Sequence, residues 1–352
     1  MRGTVPALAQ YPATMLQRPE APVDTNPHFE PLTLDDIRAA HHLIEPYVIR
    51  TPAVPWPGEG IDELLAPGTR VSAKLELLQR TGSFKARGAL VNVLSLTDAE
   101  RSRGITAVSA GNHAIAAAWA AQRTGTSAKV CMINTANQRR RDLTARYGAE
   151  VVMAGSAAEA FAMADRLVAE EGRVMIHPFE GRRTALGTAT CGLEFMEQVP
   201  DLDAVIVPIG GGGLIAGISA AVKLMNPRCQ VFGVEPEGAD SMTRSFRTGS
   251  PQSIEKIATI ADSLGAPFAL PYGYESARRN TDGIVTVTDE ELRAAMRLTF
   301  LDAKLAVEPA GASALAALVG PLRHELAGQH VGLVVCGSNI DAATYTRLLL
   351  PD

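Results

Sequence analysis

Residues 204–222 read Ala-Val-Ile-Val-Pro-Ile-Gly-Gly-Gly-Gly-Leu-Ile-Ala-Gly-Ile-Ser-Ala-Ala-Val. A β-branched run enters four consecutive glycines, Gly210, Gly211, Gly212 and Gly213, and an apolar stretch of helical composition leaves them at Leu214. Glycine loses more backbone entropy on folding than any other residue, so four in a row are a costly way to make an ordinary turn. A backbone that a ligand must approach closely explains them. Consecutive N–H groups at the start of a helix form a cradle for phosphate. The pattern is neither GxGxxG nor a P-loop ending in Lys-Ser/Thr, so NAD and ATP are not the natural phosphates.

The same strand-then-helix rhythm extends in both directions. Short β-branched or apolar runs recur at 71–75, 105–108, 128–133, 151–153, 174–177, 231–235, 284–287 and 331–336, separated by stretches of helical length. Two of those stretches open with a capping box, Thr97 with Glu100 and Thr288 with Glu291, in which hydroxyl and carboxylate satisfy first-turn amides. The alternation predicts an α/β fold, a parallel sheet covered by helices on both faces. No repeat of fixed period interrupts it.

Composition narrows the function classes. The chain has 352 residues, enough for roughly two domains. Its 33 basic and 38 acidic residues give a net charge of −5, which excludes a basic nucleic-acid surface and offers nothing to an anionic membrane. The longest apolar run, Ala114 to Ala121, falls far short of the ~20 residues that cross a bilayer. Cys131, Cys191, Cys229 and Cys336 form no CxxC pair, so neither a zinc site nor a disulfide framework is expected, and a reducing cytoplasm is. Residues 1–30 carry five prolines without apolar periodicity and read as a loose N-terminal arm.

Ligands of open α/β sheets gather where strands end and helices begin, and three further junctions carry unusual chemistry. In Thr81-Gly-Ser-Phe-Lys-Ala-Arg-Gly-Ala89, Lys85 follows Ser83 and Phe84 at the start of an apolar helix. Most lysines are solvated surface charges, but one desolvated beside a phosphate site becomes a nucleophilic amine. In Ser109-Ala110-Gly111-Asn112-His113, small and polar residues at a helix mouth suit a carboxylate. His113 fits a structural histidine equally well and is not cast as a base. In Cys336-Gly-Ser-Asn-Ile-Asp341, a cysteine ends a strand. It is either a small hydrophobe or a weak hydrogen-bond partner for a heteroaromatic nitrogen.

Together these are the parts that a pyridoxal 5′-phosphate site requires, and the sequence resembles the fold type II, tryptophan-synthase-β-like pyridoxal-phosphate enzymes, in their threonine/serine dehydratase and serine racemase branch. The resemblance runs from about Leu32 to Leu350 and rests on 81–89, 109–113, 147–150, 208–213, 235–236, 259–262, 308–312 and 336–341. It implies that Lys85 holds the cofactor covalently and later takes the substrate Cα proton, while Phe84 packs beside the ring. Gly210 to Gly213 with Leu214 bind the phosphate, Asn112 bonds the 3′-oxygen, and Cys336 faces the pyridine nitrogen. Ser83, Ser109, Ala110, Gly111 and His113 surround the substrate carboxylate. It also implies a two-domain fold, each domain a mainly parallel sheet flanked by helices: a large cofactor domain (31–104 and 174–352) and a small one (105–173). A homodimer, free of nucleic acid and membrane, is expected by the same analogy.

The implied reaction is α,β-elimination from a small β-hydroxy amino acid such as L-threonine or L-serine, giving a 2-oxo acid and ammonia. The alternatives are a specialised substrate (phenylserine or a hydroxylated diamino acid), or β-replacement or racemisation on the same scaffold. Departures from the family pattern bear on these choices. Ala110 stands where racemases carry a second serine, so racemisation is disfavoured as the main activity. Ser241 stands where metal-stimulated relatives carry an acidic residue after Glu235 and Ala239, so no metal is expected. No arginine occurs from Ala157 until Arg166, which disfavours a distal carboxylate. Ser263 and Ser338 replace glycines and are expected at the active-site wall. The chain ends soon after its last matching motif, so no end-product-binding regulatory domain is expected.

Overall fold

In the computed structural model, which describes residues 16–18 and 29–350, every β-branched run noted above forms a strand. The strands are β1 (Ala53–Pro55), β2 (Arg70–Lys74), β3 (Ile105–Val108), β4 (Ala128–Ile133), β5 (Glu150–Ala154), β6 (Val174–Met175), β7 (Ala204–Pro208), β8 (Gln230–Pro236), β9 (Gly283–Val287) and β10 (His330–Val334). Sequence reasoning missed only β1. It is a three-residue edge strand bracketed by Pro52 and Pro55, and proline is a signal against a strand everywhere except at such edges.

Two sheets result. One has six strands in the order β1-β2-β10-β7-β8-β9, parallel except where β1 runs antiparallel to β2. The other has four parallel strands in the order β5-β4-β3-β6, all within residues 105–175. Every residue of β7 and β10 is buried, as expected for central parallel strands covered on both faces.

Helices cover the sheets closely. Where the helices Arg182–Gln198 and Gly213–Met225 cross, a Cβ on Gly217 would lie 2.3 Å from the Ala185 carbonyl oxygen, so only glycine permits that approach. The run 114–121 is the interior of the helix Asn112–Arg123, buried throughout against the four-stranded sheet with Trp119 only 2% exposed. Both expected capping boxes form. A third, Thr33 with Asp36, carries aspartate where the sequence signature looks for glutamate or glutamine.

Of the stretch read as a loose arm, residues 1–15 and 19–28 lie outside the described residues. Gln17 pairs with Ile284 through reciprocal 2.8 Å backbone hydrogen bonds, covering the outer edge of β9, and Arg18 meets Glu325 at 2.6 Å. All four cysteines are free and buried. Among the described residues no helix is long and apolar enough to cross a membrane.

Candidate active site

Parallel strands deliver their carboxyl ends to one edge of each sheet, so the four junctions found in the sequence converge. They line a single cleft of about 530 Å³ between the two sheets, which holds Phe84, Lys85, the 109–113 turn, Gly210–Gly213, Leu214 and Cys336.

Lys85 begins the helix Lys85–Leu94, whose N-cap is Phe84. Two residues on, Arg87 anchors that helix, reaching Glu76 and Glu194 at 2.8 Å each, while Lys74 bonds Glu194 at 2.7 Å, all four fully buried. The buried quartet fixes the first turn, and with it the place of the Lys85 amine. Nζ donates to the Pro178 carbonyl and sits 5.1 Å from the Phe84 ring centroid. Burial pulls the Lys85 pKa down to about 8, against the opposing pull of Cys336 and Glu308.

The glycine loop is glycine for steric reasons that can be stated atom by atom. A Cβ on Gly211 would fall 2.2 Å from the Phe179 ring, and one on Gly213 would fall 2.6 Å from the Phe179 carbonyl oxygen. Gly212 has φ +94, in the left-handed region that side chains avoid. The loop thereby brings bare backbone amides to the start of the helix Gly213–Met225. Glu180, from the same segment as Phe179, accepts from the Tyr272 and Gly273 amides and braces the neighbouring helix against the loop.

Across the cleft, the Gly111 amide donates to Ser109 Oγ. Asn112 Nδ2 donates to Glu308 Oε1 at 2.6 Å and, more weakly, to Ser263 Oγ at 3.3 Å. Asn112 Oδ1 accepts from Asn339 Nδ2 at 2.7 Å. His113 Nε2 lies 2.8 Å from the Ile176 carbonyl, and burial next to Lys85 pushes its pKa down to about 3. It is therefore neutral, in keeping with a structural role. Burial pushes Cys336 well above the ordinary thiol range, with Glu308 adding to the effect, so the thiol keeps its proton.

Two of the positions expected at the wall fall elsewhere. Ser83 is fully buried but is not part of the cleft wall. Its backbone is extended (φ −164, ψ 161), so its side chain turns away from its neighbour's, and it bridges Gly337 with its hydroxyl unpartnered. Ser338 donates its backbone amide to Gly82 and also stays off the wall, whereas Ser263 lies on it. The acidic Glu235 accepts from the Met242 and Thr243 amides, and burial lifts its pKa to about 8. Among the described residues no three His, Cys, Asp or Glu side chains are grouped to hold a metal.

Several wall residues had no role assigned from the sequence. Glu308, 1% exposed, has its pKa raised to about 7 by burial; it opens the 308–312 motif of the resemblance and precedes Pro309 as the N-cap of a helix. Arg140 pairs with Asp262 at 2.5 Å, lies 3.6 Å from Glu308 and donates from Nε to the Asn339 carbonyl. It ties the two sides of the cleft together. The rest of the wall is mainly apolar, with Val108, Ile133, Phe161, Ile257, Leu264 and Phe268 beside the polar Thr135, Asn137 and Thr259.

Comparison with known proteins bears on the same residues. The family described as "Pyridoxal-phosphate dependent enzyme" matches residues 44–337. A phenylserine dehydratase of Ralstonia pickettii is 59% identical over 283 residues, 80% of this chain and 87% of that enzyme. An L-threonine ammonia-lyase of Thermotoga maritima is 37% identical over 319 residues, 90% of this chain and 78% of that one. The solved structure of maize serine racemase superposes with a TM-score of 0.85 at 34% identity, covering 90% of this chain and 97% of that one.

Proposed function

This chain belongs to the family of pyridoxal-phosphate dependent enzymes, and from that premise we propose that it converts a β-hydroxy amino acid with an aromatic side chain into the corresponding 2-oxo acid and ammonia. The chain is a lyase of the threonine/serine dehydratase type; the aromatic side chain is the finer reading. The observation that carries it is the apolar wall above the catalytic floor. The wall's arginine, Arg140, already spends Nη1 and Nη2 on Asp262 and Nε on a carbonyl, so a distal carboxylate finds no partner there. The dehydratase named for phenylserine among the relatives supports the same reading.

The residues fit the cofactor. Gly210–Gly213 line the cleft with bare backbone at the start of a helix, Glu308 Oε2 is buried without a hydrogen bond, and the Lys85 amine is desolvated. When bound, pyridoxal 5′-phosphate supplies a conjugated electron sink that acidifies the substrate Cα–H bond. In this reading the amides of Gly210–Leu214 hold its phosphate and Asn112, oriented by Glu308 and Asn339, holds the ring oxygen. Cys336 offers the ring nitrogen a neutral thiol, which leaves that nitrogen unprotonated. The amides of the 109–113 turn take the substrate carboxylate, and Lys85 Nζ takes the Cα proton. The β-hydroxyl leaves as water with a proton that balances the one Lys85 took from Cα, and addition of water to the released enamine yields the 2-oxo acid and ammonia. A homodimer in the cytoplasm completes the reading, and sedimentation of the holoenzyme tests the dimer.

The test is release of ammonia and 2-oxo acid from L-threo-phenylserine, L-threonine, L-serine and threo-3-hydroxyaspartate. Phenylserine is expected to lead threonine in kcat/KM by about tenfold or more, with hydroxyaspartate last. Threonine in first place would overturn the aromatic reading.

A pH prediction follows from the lysine. Below its pKa the amine is protonated and cannot attack an aldehyde; above it the amine is free. Capture of added cofactor by apoenzyme is therefore expected to accelerate through pH about 8, well below the ordinary lysine value of 10.5. Stopped-flow absorbance across the neutral and alkaline range measures it, and a midpoint near 10.5 contradicts the desolvated amine.

A further inference from the structure

Among the described residues, nine large apolar side chains are exposed, and only Phe161 and Ile257, at 36% and 38%, line the catalytic cleft. The other seven lie away from the catalytic cleft, Phe300 and Leu301 side by side and Leu224 in a separate cavity. These two come from opposite sides. Phe161 stands on the helix Ala157–Glu171, which packs on the four-stranded sheet, and Ile257 stands on the loop between the helix Ser241–Thr248 and Asp262.

Their surroundings are shaped for a flat apolar group. Ala157, Ala160 and Phe161 share one face of their helix at i, i+3 and i+4, so two small residues leave open space beside one large ring. Ile257 is seated over Gly265, where a Cβ would meet Ile257 Cγ2 at 3.1 Å. Phe268, also on the wall, has its ring centroid 5.9 Å from that of Phe179, which in turn lies over Gly211 of the cradle. The apolar wall is thus continuous with the catalytic floor, and the charged groups at its base, Arg140, Asp262 and Glu308, are engaged with one another or with Asn112.

We propose that Phe161 and Ile257 are specificity-determining residues that close on the substrate's β-aryl ring from opposite sides of the cleft, with Phe268 behind it. This inference rests on the aromatic reading given above and adds to it the residues that enforce the preference. Burial of a ring between apolar and aromatic faces supplies the discrimination, because a phenyl ring carries far more apolar area to bury than threonine's methyl group.

The holoenzyme and its Phe161→Ala, Ile257→Ala and Phe161→Leu variants are compared in two ways. The first is the ratio of kcat/KM for L-threo-phenylserine to that for L-threonine, expected to fall about 30-fold in Phe161→Ala, about 10-fold in Ile257→Ala and least in Phe161→Leu. The second is equilibrium binding of L-phenylalanine, which has no β-hydroxyl to lose, followed by the absorbance of the bound cofactor; its Kd is expected to rise about tenfold in both alanine variants. A wild-type enzyme that prefers threonine sinks the aromatic reading before any variant is made. A wild-type enzyme that prefers phenylserine, with variants whose ratio and Kd stay at wild-type values, overturns this inference and leaves that reading standing. An equal fall for both substrates also overturns it, since that is the mark of a general packing role. If an alanine variant fails to fold, Phe161→Leu, which keeps an apolar side chain, carries the test alone.

Discussion

Lys85→Ala is expected to lower kcat by about 10⁴-fold, the upper range for loss of a positioned acid–base group, while the protein keeps its fold. The size of the effect follows from what surrounds the amine. Desolvation at the floor of the cleft brings its pKa down to about 8, and Cys336 and Glu308 keep it from falling further. The two histidines close by do not replace it, and Glu308 is held by Asn112 and Arg140. Burial, which Lys85→Ala leaves in place, is the main cause that holds the pKa of His113 and His177 down, and each is already engaged, His113 with a carbonyl and His177 Nδ1 with the Phe179 and Glu180 amides. Stability should not suffer, because the variant loses one bond to the Pro178 carbonyl and sheds a buried amine whose charge burial opposes. The measurements are kcat on phenylserine and threonine, the visible absorption of the lysine-linked cofactor, and rescue by a small primary amine. A variant that holds cofactor and retains a tenth of the activity would remove Lys85 from the role of base. Partial rescue by the added amine would place the lost function on the amine, not on packing.

What the sequence made legible was what local chemistry makes legible. Four glycines before an apolar helix, a lysine after Ser-Phe, and a Ser-Ala-Gly-Asn-His turn are each unusual within a few residues of themselves, and a parallel sheet brings strand ends to one edge whatever lies between them. The four junctions therefore meet in one cleft although residues 81 and 341 are far apart in the chain. Illegible were the contacts that need both sides at once. Arg140 and Asp262 are 122 positions apart, and although Asp262 stands in a matching motif, nothing in the sequence pairs it with Arg140, which looks like an ordinary surface charge until the cleft brings the two together. Phe161 looks like one more apolar residue of an amphipathic helix, and only the structure turns it toward the cleft instead of the core. Ser83 differs for the opposite reason. Its neighbours Phe84 and Lys85 are on the wall, but one extended residue reverses the side chain's direction, and a motif read as a string carries no such sign.

Gly213→Ala is expected to weaken cofactor binding by about 10- to 100-fold, the loss that accompanies one or two misplaced hydrogen bonds, and to cost about 1–3 kcal/mol of stability through overpacking. The new Cβ would lie 2.6 Å from the Phe179 carbonyl oxygen, 2.8 Å from its Cα and 3.0 Å from its carbonyl carbon. All three are backbone atoms, so no side chain can swing aside to make room. Either the helix Gly213–Met225 retreats, taking its first amides out of the cradle, or the Phe179 segment moves. That segment is tied at both ends, by the Pro178 carbonyl to Lys85 and by Glu180 to the Tyr272 and Gly273 amides. Displacement on either side of the contact thus reaches the phosphate or the lysine. Gly155→Ala is the matched control, since the nearest atom to its Cβ is the Glu159 Oε2 at 3.0 Å, the end of an exposed and flexible side chain. Titration of each apoenzyme with pyridoxal 5′-phosphate, read by absorbance, and thermal unfolding of each holoenzyme separate the outcomes. Wild-type affinity in Gly213→Ala would mean that the loop is glycine for folding alone and that the phosphate is held elsewhere. Lost affinity there, beside an unaltered Gly155→Ala, ties the cradle to the backbone contact with Phe179.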